Sequence, residues 1–276
     1  MRVNKILENS YKKLRDRKIK SASLDTEVLL SYVLKKTRSY LYIWPDKKIT
    51  KNQATRYKRL IKKRCDHEPV AYLIHHKEFF GLDFYINKNV LIPRPATETL
   101  VDIIIKLVDA GRDPHLRILD VGTGSGCMAV TLKKYLPKTR ILASDLSEKI
   151  LKIAKKNAKK NKVKINFRKG NLLEPWKNFK LDIIVANLPY LTPQQMKAKS
   201  IQAEPQKALY GGKKGLEIYE ELFRQIKDFK IKAKVFIEID PRQIKNITKL
   251  IKEYFPKRKI AVIQDLSGQD RVVVIK

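Results

Sequence analysis

Residues 117–126 read RILDVGTGSG, an apolar run that passes directly into a glycine turn. Ile118, Leu119 and Val121 suit a buried strand, while Gly122, Gly124 and Gly126 let the backbone turn sharply and approach a ligand. With Thr123 and Ser125 between them, they lead into a helix whose free N–H groups would face that ligand. The spacing is GxGxG and lacks the third glycine of a dinucleotide fingerprint, so the turn alone selects no cofactor. The next apolar run, RILASD at 140–145, ends in Asp145, an acid placed to accept from both hydroxyls of a ribose. After a third run, INFRKG at 165–170, come Asn171 and Leu172, placed to flank an adenine edge. A purely structural turn with Asp145 as a helix cap would need none of this. Loop and acid together at strand carboxyl ends favour a nucleoside cofactor.

Working outward, four more strand-like runs follow: LDIIVAN (181–187), KVFIEID (234–240), IAVIQD (260–265) and DRVVVIK (270–276). Helix-length segments such as 147–160 and 216–229 separate the earlier ones, which predicts a parallel sheet covered by helices. Only Leu266–Gln269 separates the last two, too short for a parallel crossover, so they must pair antiparallel. The expected fold class is α/β: a seven-stranded sheet with a terminal antiparallel hairpin over residues 93–276.

Upstream the pattern is helical over residues 1–75. Ile6, Tyr11 and Leu14, then Leu24, Val28, Leu29, Leu30, Val33 and Leu34, recur at helical spacing. Ser23 is the expected cap of the second helix, and Thr50 that of a third over about 51–63. Residues 76–92, rich in aromatic and β-branched side chains with Gly81 and an Asn87–Asn89 turn, read as a hairpin linker. Pro93 and Pro95 would stiffen an extended strap into the second domain.

With 43% hydrophobic residues the chain can build a core, and its apolar runs are too short to span a membrane. Two cysteines, Cys65 and Cys127, make no disulfide framework, and the N-terminus lacks the apolar core of a secretory signal, so a cytoplasmic protein is expected. Lys and Arg number 61 against 28 acids, a net charge of +33 spread along the whole chain. The densest stretch, Lys149 to Lys169, holds ten basic residues and no acid. Contact with nucleic acid is compatible with this charge and not required by it. His67, His75 and His76 have no acid or cysteine at ligand spacing, so no metal is expected.

The fourth strand ends in Asn187-Leu188-Pro189-Tyr190, at the same edge as the glycine turn. An amide nitrogen is a poor nucleophile because its lone pair is delocalised into the carbonyl. Two adjacent acceptors, the Asn187 side-chain oxygen and the Leu188 carbonyl, would take both N–H hydrogens of such a group and aim its lone pair. Pro189 would stiffen the turn and Tyr190 offer a flat face. Against an electrophile carrying positive charge, positioning does most of the work and no strong base is needed.

The glycine turn, Asp145 and the strand order resemble the class I S-adenosylmethionine-dependent methyltransferases. Residues 187–190 are similar to the NPPY motif of methyltransferases acting on planar nitrogen, with Leu188 in place of the first proline. The segments EPVAYL (68–73), EFFGLDF (78–84), LIPRPATE (91–98), EPQKAL (204–209) and GGKKGL (211–216) together resemble the peptide-chain release factor glutamine methyltransferases. Ala96 stands where that family commonly has the first Glu of IPRPETE. The resemblance implies S-adenosyl-L-methionine as cofactor, held by Gly122–Gly126, Asp145, Asn171, Leu172 and Asn187. It also implies methylation of the GGQ glutamine of class 1 release factors, clamped by Asn187–Tyr190. From their position alone, residues 1–75 are expected to recognise the rest of that substrate, and the enzyme is expected to act as a monomer. Arg94 and Glu98 either line the cleft or pair with each other, and Glu238 is open to a structural or a functional role. Two rivals stand beside this reading: an adenine methyltransferase acting on RNA or DNA, and a non-catalytic nucleic-acid-binding protein that keeps the fold.

Overall fold

Among the described residues, seven strands form one sheet: β3 (Arg117–Val121), β4 (Arg140–Asp145), β5 (Asn166–Lys169), β6 (Ile183–Ala186), β7 (Lys234–Glu238), β8 (Ile260–Gln264) and β9 (Asp270–Ile275). Their order across the sheet is β5-β4-β3-β6-β7-β9-β8. The first five run parallel, and β9 pairs antiparallel with both β7 and β8. The expected seven strands and terminal antiparallel pair are both present, with β5 and β8 at the two open edges. The computed structural model describes residues 1–111, 113, 115–198 and 201–276, which cluster into two units, Met1–His76 and Lys77–Lys276.

Alternate strand residues share a face. Leu119, Val121, Leu142, Ile184, Ala186, Val235 and Ile237 all enter one core, where they meet Leu222, Phe223 and Ile226 of α9 (Glu217–Asp228) and Ile247 and Ile251 of α10 (Ile244–Tyr254). A further helical layer consists of α6 (Pro95–Ala110), α7 (Cys127–Tyr135) and α8 (Glu148–Lys160), packed in that order. Helix α6 departs from the expected strap. Pro95 occupies its first turn, where a missing N–H costs nothing, and Leu100, Val101, Ile104 and Val108 give it a buried stripe. Only residues up to Arg94 are extended. The hairpin is also shorter than its composition implied: β1 (Lys77–Phe79) pairs with β2 (Leu82–Phe84), and no strand follows before α6. Asn89 N–H donates to the Asn87 side chain at 2.9 Å, so that turn forms outside any hairpin.

The first unit holds α1 (Val3–Asp16), α2 (Ala22–Leu34), α3 (Arg38–Ile43), α4 (Lys51–Cys65) and α5 (Val70–Ile74) around their own core of Val3, Ile6, Leu14, Leu29, Leu30 and Tyr57. Thr50 caps α4 in a reciprocal box with Gln53. Ser23 is not a cap: α2 begins one residue earlier, and the Ser23 hydroxyl donates to Glu27 within the helix. Tyr11 and Leu24, which fit the helical spacing, lie on the exposed faces.

Candidate functional site

Register brings the chemistry together. Val121 lies opposite Ser144 and Ala186, and Asp145 opposite Lys169, so the loops after β3, β4, β5 and β6 leave the sheet at one edge. There they line a cavity of about 750 Å³. Gly122, Thr123, Gly124 and Ser125 form one wall, Asp145, Asn171 and Leu172 another, and Asn187, Leu188 and Pro189 a third. Two expected residues are not on its lining. Gly126 sits behind the loop as the N-cap of α7, and Tyr190 packs against the sheet core.

All three loop glycines have positive φ (70°, 57° and 80°), which ordinary side chains disfavour. Gly122 is also confined from outside: a Cβ there would lie 2.9 Å from Leu188 Cδ2, so the acceptor turn packs directly on the glycine loop. Asp145 accepts from Gly124 N–H at 3.1 Å and Ser147 N–H at 3.2 Å. Burial raises its carboxyl above the usual range, and these backbone donors work against that rise. Asp120 is fully buried below the loop, where its Oδ2 accepts from the Thr123 hydroxyl at 2.6 Å and Ala129 N–H at 3.2 Å. Its Oδ1 has no partner among the described residues, and burial pushes its pKa up to about 7. Cys127 also lines the cavity, and burial pushes its thiol up to about 12, which favours the neutral form.

The acceptor turn is oriented by Thr97, which sequence reading did not single out, backed by Glu238, whose role it left open. Asn187, on the cavity lining, donates from Nδ2 to Thr97 Oγ1 at 3.0 Å, and its Oδ1 accepts no hydrogen bond among the described residues. Beyond Thr97 is Glu238, 1% exposed at the end of β7. Burial raises its pKa, and hydrogen bonds with Thr97 and Tyr190 and the charges of Arg271 and Arg94 oppose the rise. Thr97 follows Pro95 by two positions on α6, so recognising that helix would have placed Thr97 in its first turn, facing inward.

Arg94 and Glu98 do not pair with each other. Arg94 lines the cavity and bonds to Glu204, whose second oxygen accepts from Ile92 N–H at 3.2 Å. Glu98 accepts from Phe80 N–H at 2.8 Å. The Arg94–Glu204 pair ties the segment before α6 to the loop after β6, and Pro205 to Ala208 of that loop close one side of the cavity.

The donor set fits a nucleoside carrying a positive sulfonium: an acid at the carboxyl end of β4, a loop of backbone N–H groups, and apolar walls from Leu146, Ile150 and Leu172. The third wall offers two adjacent neutral acceptors and no base.

Residues 5–74 match the PrmC N-terminal domain, and residues 95–212 the methyltransferase small domain. The chain is 34% identical to a release factor glutamine methyltransferase of Koribacter versatilis (strain Ellin345), over 99% of this chain and 98% of that one. It is 33% identical to one from Bacillus anthracis, over 90% of each chain. In three dimensions it resembles a methyltransferase from Pyrococcus furiosus at a TM-score of 0.52 and 20% identity, covering 82% of this chain and 98% of that one.

Proposed function

The chain belongs to the release factor glutamine methyltransferase family, and on that premise we propose that it methylates the side-chain amide nitrogen of the GGQ glutamine in class 1 translation release factors. S-adenosyl-L-methionine supplies the methyl group as an electrophile on a positively charged sulfur. Asp145 would hold its ribose, Gly122–Ser125 its methionine part, and Asn171 and Leu172 its adenine edge, with Gly126 shaping the turn from behind.

The observation that carries the reading is the Asn187–Thr97 bond of 3.0 Å. It commits the Asn187 NH₂ to Thr97, so the group left facing substrate is Oδ1, an acceptor. Asn187 Oδ1 and the Leu188 carbonyl then take the two hydrogens of the glutamine amide, which holds its plane and turns the nitrogen lone pair toward the methyl donor. Neither acceptor is basic, so the proton that the nitrogen sheds after methylation goes to water. Residues 1–75 bind the body of the release factor, and the enzyme works in the cytoplasm as a monomer. No helix among the described residues is long and apolar enough to cross a membrane.

The test offers radiolabelled S-adenosylmethionine to the protein with a release factor, its GGQ-to-GGA variant, and bulk RNA. Label confined to the unaltered factor is the expected result. Label in RNA alone would transfer the site to adenine, which presents a similar planar N–H₂ group.

A further inference from the structure

Leu188 is the departure in the acceptor motif, and it changes two things at once. A proline at that position would fix φ and carry no N–H; leucine leaves φ free and adds a donor. That donor is used. Leu188 N–H donates to the Tyr219 hydroxyl at 3.2 Å, and the same hydroxyl donates to the backbone carbonyl of Glu238 at the end of β7. The Leu188 carbonyl lies 3.4 Å from the hydroxyl, but Tyr219 has a single proton and the Glu238 carbonyl is nearer. The lone pairs of the Leu188 carbonyl therefore stay available to a substrate.

Tyr219 is itself rigidly held. It is fully buried on α9 with its ring against Phe223 at 6.5 Å between centroids. Burial holds its pKa well above the usual tyrosine value, so the group remains a hydroxyl that donates once and accepts once. The following residues are gripped too. Tyr190 carbonyl accepts from Gln243 Nε2 at 3.0 Å, and a Cβ on Gly211 would lie 2.5 Å from the Pro189 carbonyl oxygen.

We propose that Tyr219 is a positioning residue for methyl transfer: its hydroxyl takes the Leu188 N–H and pins that peptide to the end of β7. A hydrogen bond thereby replaces the restraint that a proline ring would impose at position 188. The inference rests on the reading of Leu188 carbonyl as an acceptor for the glutamine amide.

A double-mutant cycle tests it, with the full chain as parent, Tyr219→Phe, Leu188→Pro, and both together. Initial rates of methyl transfer to a release factor are measured alongside calorimetric cofactor affinity and thermal melting. In the parent background, Tyr219→Phe lowers kcat about tenfold, equivalent to roughly 1.4 kcal/mol, with cofactor affinity and KM unchanged within about twofold. In the Leu188→Pro background, where the N–H is gone, the same change lowers kcat less than about twofold. A merely structural tyrosine would cost the same in both backgrounds and follow the loss of melting temperature, and that result overturns the inference while leaving the proposed function standing. A parent that labels no glutamine overturns both.

Discussion

Replacing Thr97 by valine keeps the shape of a side chain that is 3% exposed and deletes only its hydroxyl. Two effects follow. The Asn187 NH₂ loses its acceptor at 3.0 Å, and the buried Glu238 carboxyl loses a donor. Leaving such groups unpaired costs about 1–3 kcal/mol of stability. The effect on rate follows from orientation. An amide bond to a hydroxyl worth about 1.4 kcal/mol favours the orientation with Oδ1 toward the cavity roughly tenfold over the flipped one, which would present NH₂ to the NH₂ of the substrate. Without it the two orientations approach equal population, which alone costs about twofold, and the looser placement of a mobile side chain adds to this, so kcat is expected to fall about tenfold in all. Thr97→Ser keeps the hydroxyl and returns kcat to within about threefold of the parent. The assay is radiolabel incorporation into a release factor at saturating cofactor, with melting temperature and cofactor affinity measured on the same preparations. A Thr97→Val protein that loses stability yet turns over at the parental rate would refute the argument that this bond orients the clamp.

Asp120 predicts a pH dependence of stability. Its folded pKa of about 7 lies above the 3.8 of an ordinary carboxyl, so the folded protein keeps a proton that the unfolded chain releases. The associated stability is complete below about pH 4 and disappears as pH rises through about 7, a change on the order of 4 kcal/mol. Urea unfolding at about pH 5 and about pH 8 should show roughly 3 kcal/mol of this loss in the parent and a much flatter response in Asp120→Asn. Gly211→Ala would set a Cβ 2.5 Å from the Pro189 carbonyl oxygen and 2.6 Å from Tyr190 Cα, both backbone atoms. The acceptor turn must then shift, and methyl transfer should fall about a hundredfold while calorimetric cofactor affinity changes less than about twofold.

Local backbone chemistry made much of this molecule legible in its sequence. The strands announce themselves as apolar runs, and the four-residue link at Leu266–Gln269 dictates the antiparallel end of the sheet. The glycine turn, Asp145 and Asn187 each follow directly on a strand, so a parallel sheet delivers them to one edge whatever lies between. What escaped reading depends on contacts between distant segments. Thr97 reaches Asn187 across 90 residues and Tyr219 reaches Leu188 across 31, with no local pattern to mark either. Helix α6 was concealed for another reason: the prolines in IPRPATE suggest an extended strap, and the second of them opens a helix. Arg94 and Glu98 have nearby opposite charges, yet each finds its partner elsewhere in the fold.

The two open edges of the sheet have a further consequence. An edge strand exposes a row of unpaired N–H and C=O groups, and a second copy of the chain could add to it and start an aggregate. Strand β5 presents exposed Arg168 and Lys169 there, with Lys162 and Lys164 just before it, and no acid from Lys149 to Lys169 offers a complementary charge. A second copy aligned on that edge would bring the same cations against themselves. At the other edge, β8 breaks its register between Ile263 and Gln264, which distorts the template. The four cations at this edge thus oppose edge-to-edge pairing through their own repulsion, with no polyanionic partner involved.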